Sequence, residues 1–274
     1  MNPFEEKKKR EEAIQKAMSS IKHIIAVGSG KGGVGKSTVA ANLAISLASK
    51  GYKVGLADAD VYGPSIPTLF NIDKAEILAM EKDGKDWMLP VERLGVKLMS
   101  IGFMVDTQSA LIWRGPMAAN ALTQLLSETY WGELDYLVLD MPPGTGDIQL
   151  TLVQTFHTTG SIFVCTPQQL AVADVRRAIN MFDHDDIKVP ILGLVENMAY
   201  FTPKELPNNK YYIFGKDGGK GLAQELNIDF LGEIPISCSI SESNDKGTPI
   251  ASNYDTPECQ AFLALADKII EKTK

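Results

Sequence analysis

The stretch from Gly30 to Ser37 has the spacing of a phosphate-binding loop, G-x-x-x-x-G-K-[ST]. The apolar run HIIAV precedes it and the helical pattern KSTVAANLAISLASK follows it, which is the strand–loop–helix context that such a loop requires. Glycines allow close backbone approach, so successive N–H groups can point at phosphate oxygens near a helix N-terminus. We predict a nucleoside triphosphate site in which Lys36 reaches the β- and γ-phosphates and Ser37 supplies a hydroxyl to Mg²⁺. The predicted nucleotide-binding residues of this loop are Gly30, Lys31, Gly32, Gly33, Val34, Gly35, Lys36, Ser37 and Thr38.

Two acidic strand ends are predicted to meet this loop. The run YLVLD ends at Asp140, which is expected to hold the Mg²⁺ shell through water, and Gly144 in the following loop lets a backbone N–H meet the γ-phosphate. The run GLADAD ends at Asp58 and Asp60, of which Asp60 lies further out and is better placed to order the attacking water or the Mg²⁺ shell. The alternatives are an ordinary strand-ending turn for Asp140 and a solvated turn or helix cap for the other two.

Seven apolar runs, separated by helical patterns, indicate the elements that position these residues. Continuous Val, Ile and Leu runs are typical of strands covered on both faces, and helices between them indicate right-handed crossovers in a parallel sheet. The predicted fold class is therefore α/β, a doubly wound, mostly parallel sheet of the P-loop NTPase type, with ligands at the carboxyl ends of the strands. The seven runs are HIIAVGS, KVGLADAD, VKLMSIGF, YLVLDM, SIFVCT, VPILGLVEN and FLGEIPI.

The ends of the pattern and two irregular stretches complete the predicted organisation. A helix is expected from about Glu5 to Ser20, so the chain divides into an N-terminal helical arm, residues 1–20, and one P-loop domain, residues 21–274. Residues 58–76 and 202–219, rich in Pro, Asn, Asp or Gly, are predicted to be loops and candidate moving parts.

Composition argues against several classes of function. The net charge of −7 gives no general attraction to nucleic acid or to an anionic membrane, and no apolar run approaches the roughly 18 residues of a membrane span. The three cysteines Cys165, Cys238 and Cys259 form no C-x-x-C pair and no disulfide framework, which fits a reducing compartment. We therefore expect a cytoplasmic protein that has neither nucleic acid nor a membrane as a partner.

Several longer motifs, in order, resemble one group of ATPases. The run G-K-G-G-V-G-K-S-T, with Lys31 directly after the first glycine, is the deviant Walker A signature of the family that contains MinD, ParA and the nitrogenase iron protein. Within that family the chain resembles the Mrp-type ATPases that carry iron–sulfur clusters, over nearly its whole length from Lys22 onward. The segments that carry this resemblance are DADVYGPSIP, IWRGPM, WGELDYLVLDMPPGTGD, TPQQLAVADVRRAINMF and ENMAYF.

The resemblance implies roles for residues outside the generic loop. Lys31 should cross a dimer interface to the partner's phosphates and stabilise developing charge as an arginine finger does, the alternative being a solvated loop lysine. Asn197 should read the adenine edge, or else serve as buried strand-end structure, and Pro235 should border the base. Arg114 is a candidate interface cation, with a loop salt bridge as the alternative. The predicted catalytic residues are then Lys31, Lys36 and Asp60, and the predicted Mg²⁺ residues are Ser37, Asp60 and Asp140.

The chain departs from the carrier pattern at the cluster site. Mrp-type carriers bear a C-x-x-C shortly after E-N-M, so that a dimer supplies the four thiolates that a [4Fe-4S] cluster requires. Here the segment ENMAYFTPKELPNNKYYIFG contains no cysteine. Three interpretations stay open: Cys238 or Cys259 provides thiolates in another geometry, partner or oxygen ligands are used, or the cluster has been lost. Cys165, inside the run SIFVCT, is expected to be a small buried hydrophobe.

The expected function is that of an Mg²⁺-dependent ATPase that works as a nucleotide-gated homodimer and resembles carriers that pass iron–sulfur clusters to apo-proteins. Its partners would be a second copy of the chain and apo iron–sulfur proteins or assembly factors. The first alternative is a positioning ATPase of the MinD and ParA kind, whose dimerisation on a membrane or DNA is controlled by ATP. The second is an ATP-dependent metabolic enzyme, for which the sequence offers no second set of catalytic residues.

Overall fold

The computed structural model describes residues 3–104, 115–185 and 187–274, which form ten strands and nine α-helices. The strands are β1 Ile21–Ser29, β2 Val54–Asp58, β3 Ala79–Lys82, β4 Lys85–Met88, β5 Val91–Arg93, β6 Val96–Ser100, β7 Leu134–Asp140, β8 Gly160–Cys165, β9 Ile191–Phe201 and β10 Phe230–Ile236. The helices are α1 Pro3–Met18, α2 Lys36–Ser49, α3 Ile66–Leu69, α4 Gly115–Glu128, α5 Asp147–Thr155, α6 Gln169–Phe182, α7 Gly218–Glu225, α8 Cys238–Asp245 and α9 Pro257–Lys272.

Eight of these strands form one sheet, in the order β10-β9-β8-β1-β7-β2-β6-β5. Every neighbouring pair is parallel except β5 with β6. This confirms the predicted α/β fold class, and each of the seven apolar runs overlaps one strand of the sheet. Because β1 lies in the middle with β7 and β8 on either side, its carboxyl end is the centre of the sheet edge at which ligands bind in such folds.

The structure adds one edge strand and a hairpin that the sequence analysis did not predict. Strand β5 is antiparallel at the sheet edge, and β3 pairs with β4 in a separate two-stranded sheet. The hairpin turns at Asp83 and Gly84, with φ values of 56° and 72°. An Asp-Gly pair favours such a turn, so this dipeptide was the signal that could have revealed the hairpin.

Two apolar layers cover the sheet, one on each face. On one face α2 and α9 contribute Leu43, Leu47, Phe262 and Ile269, all buried. On the other face the core is built from α1, α4, α5, α6 and α7. In α1, the helix predicted from about Glu5 to Ser20, Ile14 and Met18 are the buried side chains. No helix in the described parts of the chain has the length and apolarity needed to cross a membrane.

The two stretches predicted as loops are largely irregular. The short helix α3 lies inside the first, and α7 begins at the end of the second. Within the second stretch Tyr211 pairs with Phe201 across an isolated antiparallel bridge. Both stretches follow carboxyl ends of strands, so they border the edge of the sheet where the phosphate-binding loop lies.

Asn42 connects helix α2, which follows the phosphate-binding loop, to the chain just before α9 through a hydrogen bond. Its side chain is fully buried, with Nδ2 donating to the Thr38 carbonyl at 2.8 Å and Oδ1 accepting from the Ala251 N–H at 2.8 Å. A buried backbone N–H needs a partner, and Asn42 supplies the one for Ala251. The first turns of α2 are therefore fixed by a residue far along the chain.

We predict that Asn42→Ala lowers the free energy of unfolding by about 1–3 kcal/mol, because the Ala251 N–H is left buried without an acceptor. The measurement is the midpoint of denaturant unfolding. Asn253→Ala, at an exposed position two residues beyond Ala251, is the matched control and should leave the midpoint unchanged. Equal midpoints for both variants would contradict this account of α2.

Candidate functional site

The loop between β1 and α2 takes a conformation that only glycine permits at two positions. A Cβ on Gly30 would lie 2.2 Å from the backbone carbonyl carbon of Asp174, so this close approach to α6 excludes any side chain. Gly35 has φ of 82°, and a Cβ there would lie 2.2 Å from Nδ2 of Asn197. The loop is thus packed between α6 and β9, in the position that the motif predicts for phosphate binding.

The register of the central strands brings the acidic strand ends together. Asp140, the last residue of β7, pairs on one side with Val27 of β1 and on the other with Asp58 of β2. Since parallel strands end at the same edge of the sheet, both carboxylates lie beside the loop that follows β1. The backbone register of the strands positions these two carboxylates. The apolar runs in the sequence indicate that register only approximately.

Lys36 lies at the centre of this group of side chains. Its Nζ is 2.6 Å from Oδ1 of Asp140, 3.6 Å from Oδ2 of Asp60 and 3.3 Å from Oγ of Ser37. Lys36 is 6% exposed and Asp140 is fully buried, so water screens their attraction little. The structure therefore brings together four residues that the sequence assigned to one site.

The pKa values of these groups are shifted by burial and by one another. Burial opposes the charge of Lys36, but the carboxylates of Asp140 and Asp60 outweigh it and raise the lysine pKa. Burial also raises the pKa of Asp140, and Oδ2 of that carboxylate has no hydrogen-bond partner among the described residues. An unpartnered buried carboxylate oxygen, with a serine hydroxyl and a second carboxylate close by, is a donor set that suits Mg²⁺.

Asp58 has a different environment from Asp60. It accepts hydrogen bonds from the Ile66 N–H at 3.1 Å, the Asp60 N–H at 3.2 Å and the Ser100 hydroxyl at 2.9 Å. Burial, together with the charge of Asp140, raises its pKa to about 7. Asp58 thus holds the backbone of the segment that carries Asp60, whose own carboxylate stays beside Lys36.

A cavity of about 280 Å³ lies against the loop. Lys31 lines it and is half-buried, and within the described part of the chain this lysine forms no ion pair. Asp60 and Pro143 also line this cavity. The Gly144 N–H donates to the Ser29 carbonyl at 2.9 Å, so it would have to leave this acceptor before it could meet a γ-phosphate.

The two residues expected near the base lie on neighbouring strands, Asn197 within β9 and Pro235 at the second-to-last position of β10. Asn197 is 5% exposed, and its Nδ2 donates to the Val34 carbonyl at 2.8 Å, so the side chain supports the phosphate-binding loop directly. Pro235 is half-buried near the end of β10. Contact with adenine stays a prediction for both residues. Arg114, the candidate interface cation, lies outside the described residues.

A second asparagine at the loop was missed by the sequence analysis. Asn244 of α8 donates through Nδ2 to Oγ1 of Thr38 at 3.2 Å. The two residues are separated by 206 positions, and no local pattern marks Asn244, so no sequence signal could have assigned it to the site.

The three cysteines differ sharply in accessibility. Cys165 and Cys259 are fully buried, and burial raises the pKa of Cys165 to about 12 and also raises that of Cys259. Cys238 is exposed at the first residue of α8. In the described ranges no cluster of three or more His, Cys, Asp or Glu side chains could hold a metal ion. The expectation that Cys165 is a buried hydrophobe agrees with its position.

Comparison with known proteins identifies relatives over almost the entire chain. Residues 20–270 match the family described as ParA, NUBPL iron-transfer P-loop NTPase. The chain is 51% identical to an iron–sulfur cluster carrier protein of Aquifex aeolicus, over 92% of this chain and 68% of that protein. A nucleotide-binding protein of Archaeoglobus fulgidus, solved in complex with ADP, superposes with a TM-score of 0.78 at 40% identity, over 92% of this chain and 96% of that one. The Aquifex aeolicus MinD cell division protein has a TM-score of 0.62 at 19% identity, covering 91% and 97%, which shows a shared fold.

We predict that Asn197→Ala weakens binding of a non-hydrolysable ATP analogue about 5- to 10-fold, because the Val34 carbonyl loses its donor and the loop is less well ordered. Isothermal titration calorimetry gives the dissociation constant. Asn209→Ala, on the exposed loop beyond β9, is the control and should bind as the unmodified protein does. Unchanged affinity in Asn197→Ala would show that the hydrogen bond to Val34 is dispensable.

Proposed function

This chain belongs to the NUBPL and ParA family of iron-transfer P-loop NTPases, and on that basis we propose that it is an ATP-hydrolysing homodimer that carries iron–sulfur clusters to apo-proteins. The observation that carries the nucleotide part of the proposal is the buried contact between Lys36 and Asp140, beside a loop of phosphate-binding geometry. The Archaeoglobus fulgidus relative, described as a nucleotide-binding protein in complex with ADP, supports nucleotide binding by this chain.

Each residue of the loop has a distinct proposed task. Backbone N–H groups of residues 30–38 surround the phosphates, and Lys36 exchanges Asp140 for the β- and γ-phosphate oxygens as its counter-charges. The hydroxyl of Thr38 donates to a phosphate oxygen. Ser37 and Asp60, with Asp140 through water, would hold Mg²⁺, which supplies positive charge that offsets part of the charge of the triphosphate.

Hydrolysis requires an ordered water and a cation that stabilises the transferred phosphoryl group. Asp60 lines the same cavity as the loop, and its carboxylate can accept a hydrogen bond from water at the end of the triphosphate. Release of the Gly144 N–H from the Ser29 carbonyl would provide one donor to the γ-phosphate. We propose that this exchange is the conformational step coupled to ATP hydrolysis.

Lys31 is the residue that makes the site depend on a second copy of the chain. It lines the cavity and, among the described residues, has no carboxylate partner, so its ammonium group is available to a neighbouring subunit. A cation delivered from outside stabilises the charge of phosphoryl transfer and typically raises the rate about 10³- to 10⁵-fold. Hydrolysis and ATP-dependent pairing should therefore depend on the same side chain.

We predict that Lys31→Ala lowers ATP turnover at least about 10³-fold and abolishes ATP-dependent dimerisation, while the affinity of the single subunit for ADP stays within a few-fold of its original value. Phosphate release and sedimentation velocity with and without ATP are the measurements. Lys204→Ala, an exposed lysine in the loop after β9, is the control for loss of surface charge. Full turnover and pairing in Lys31→Ala would refute the shared site.

Each chain offers one accessible thiol, Cys238, to an iron–sulfur cluster. A [4Fe-4S] cluster requires four thiolate ligands, or substitutes for them, whereas a pair of chains would offer only two exposed cysteines, Cys238 from each. We propose that Cys238 binds the cluster as cargo and that ligands from another molecule complete its coordination. Cys259 is not a candidate ligand in this proposal because its thiol is buried and donates a hydrogen bond to the Ala251 carbonyl.

We predict that anaerobic reconstitution with iron and sulfide, in the presence of an added thiol, loads iron on the unmodified protein and that Cys238→Ala abolishes this loading. Bound iron, acid-labile sulfide, visible absorption and transfer to an apo-ferredoxin are the measurements. Cys259→Ala is the matched control and should retain iron. Iron that is absent from the unmodified protein, or equal in both variants, would rule out carriage through Cys238.

The positioning ATPase remains the alternative function, but its support is limited to the fold. The MinD neighbours are 18–19% identical, a level that carries no information on membrane or DNA binding. The relatives with 44–51% identity are iron–sulfur cluster proteins, which favours the carrier.

A further inference from the structure

Helix α8, which belongs to a distant part of the chain, contacts Thr38. Nδ2 of Asn244, near the end of α8, donates to Oγ1 of Thr38 at 3.2 Å. Thr38 itself lines the cavity beside the phosphate-binding loop. The Thr38 hydroxyl therefore contacts the amide group of α8, and the residue itself borders the cavity at the proposed phosphate site.

The direction of this hydrogen bond decides what the hydroxyl can do. A threonine hydroxyl has a single proton and two lone pairs, so an oxygen that accepts from an amide keeps its proton for another acceptor. Threonine in a helix often donates to the carbonyl four residues earlier. For Thr38 that carbonyl is Val34, which accepts from Asn197 at 2.8 Å, and among the described residues the Thr38 hydroxyl donates no hydrogen bond to it or to any other acceptor. A phosphate oxygen in the cavity is the strongest remaining acceptor.

The placement of Asn244 leaves one of its buried polar atoms without a hydrogen bond. Its Oδ1 is buried and has no hydrogen-bond partner among the described residues, which is unfavourable for an amide oxygen. Ala251, in the stretch that follows α8, is also held to α2 because its N–H donates to Oδ1 of Asn42. The amide nitrogen of Asn244 therefore contacts Thr38, while its amide oxygen has no hydrogen-bond partner among the described residues.

We infer that Asn244 is a positioning residue of the nucleotide site, which fixes the rotamer and proton direction of the Thr38 hydroxyl so that it donates to a phosphate oxygen of the bound nucleotide. This inference rests on the proposed nucleotide-binding function and adds to it a residue from α8 that does not touch the nucleotide. The effect of Asn244 on affinity must then pass through the Thr38 hydroxyl.

The test is a double-mutant cycle in which ADP with Mg²⁺ is titrated by calorimetry. Asn244→Ala is expected to weaken ADP binding about 5-fold, since the hydroxyl is free to rotate away. Asn244→Asp is expected to weaken it further, because a carboxylate accepts the Thr38 proton and turns the hydroxyl away from phosphate. In the Thr38→Val background, which removes the hydroxyl at constant volume, Asn244→Ala should change the affinity less than 2-fold.

Several results would overturn the inference. Equal loss from Asn244→Ala in both backgrounds would show that Asn244 acts on the fold and not through the hydroxyl. Original affinity in Asn244→Asp would show that the position needs no hydrogen-bond donor, and this readout does not depend on the Thr38→Val variant. No ADP binding by the unmodified protein would refute the proposed function itself, a result that is distinct from the other two. Asn253→Ala, at an exposed asparagine, is the control for surface changes.

Discussion

The buried ion pair between Lys36 and Asp140 is the interaction on which the site depends. Asp140 is placed by the register of β7 between β1 and β2, and Lys36 is placed by the loop that leaves β1. Burying two charges is costly unless each finds a partner, so the loop and the strand end must keep their relative positions. With Asp58 and Asp60 also present, this site has three buried carboxylates and one buried lysine, Lys36. A triphosphate can share this site only if further positive charge arrives with it, which is the physical reason for expecting Mg²⁺ and a second lysine.

Amide side chains from the second half of the chain determine the position of the loop and the first turns of α2. Asn197 of β9 donates to the Val34 carbonyl, and Asn244 of α8 donates to the Thr38 hydroxyl. Helix α8 also begins with the exposed Cys238, six residues before Asn244, which is about 9 Å along a helix axis. One short helix thus connects the accessible thiol to the phosphate-binding loop.

The strands and the loop could be predicted from the sequence because both depend on local patterns. Buried parallel strands are continuous apolar runs, and the loop motif is eight residues with a fixed spacing. The antiparallel strand β5 and the hairpin were missed because they are short and largely polar or half-exposed. The contacts of Asn197 and Asn244 were missed for another reason. They span 163 and 206 positions, and an asparagine side chain offers no local sign of which distant group it will bind.

The chemistry of the cysteines limits what kind of carrier this chain can be. A cluster ligand must be a thiolate, and burial together with the nearby Glu196 carboxylate raises the pKa of Cys165 far above the neutral range. Cys259 is buried in the core, so only Cys238 can reach a cluster without disruption of the fold. A cluster bound by so few ligands of one protein has coordination positions open to another molecule. Such a cluster is held less firmly than one with four thiolates from a single dimer, and the same open positions are where an acceptor's cysteines would begin the transfer.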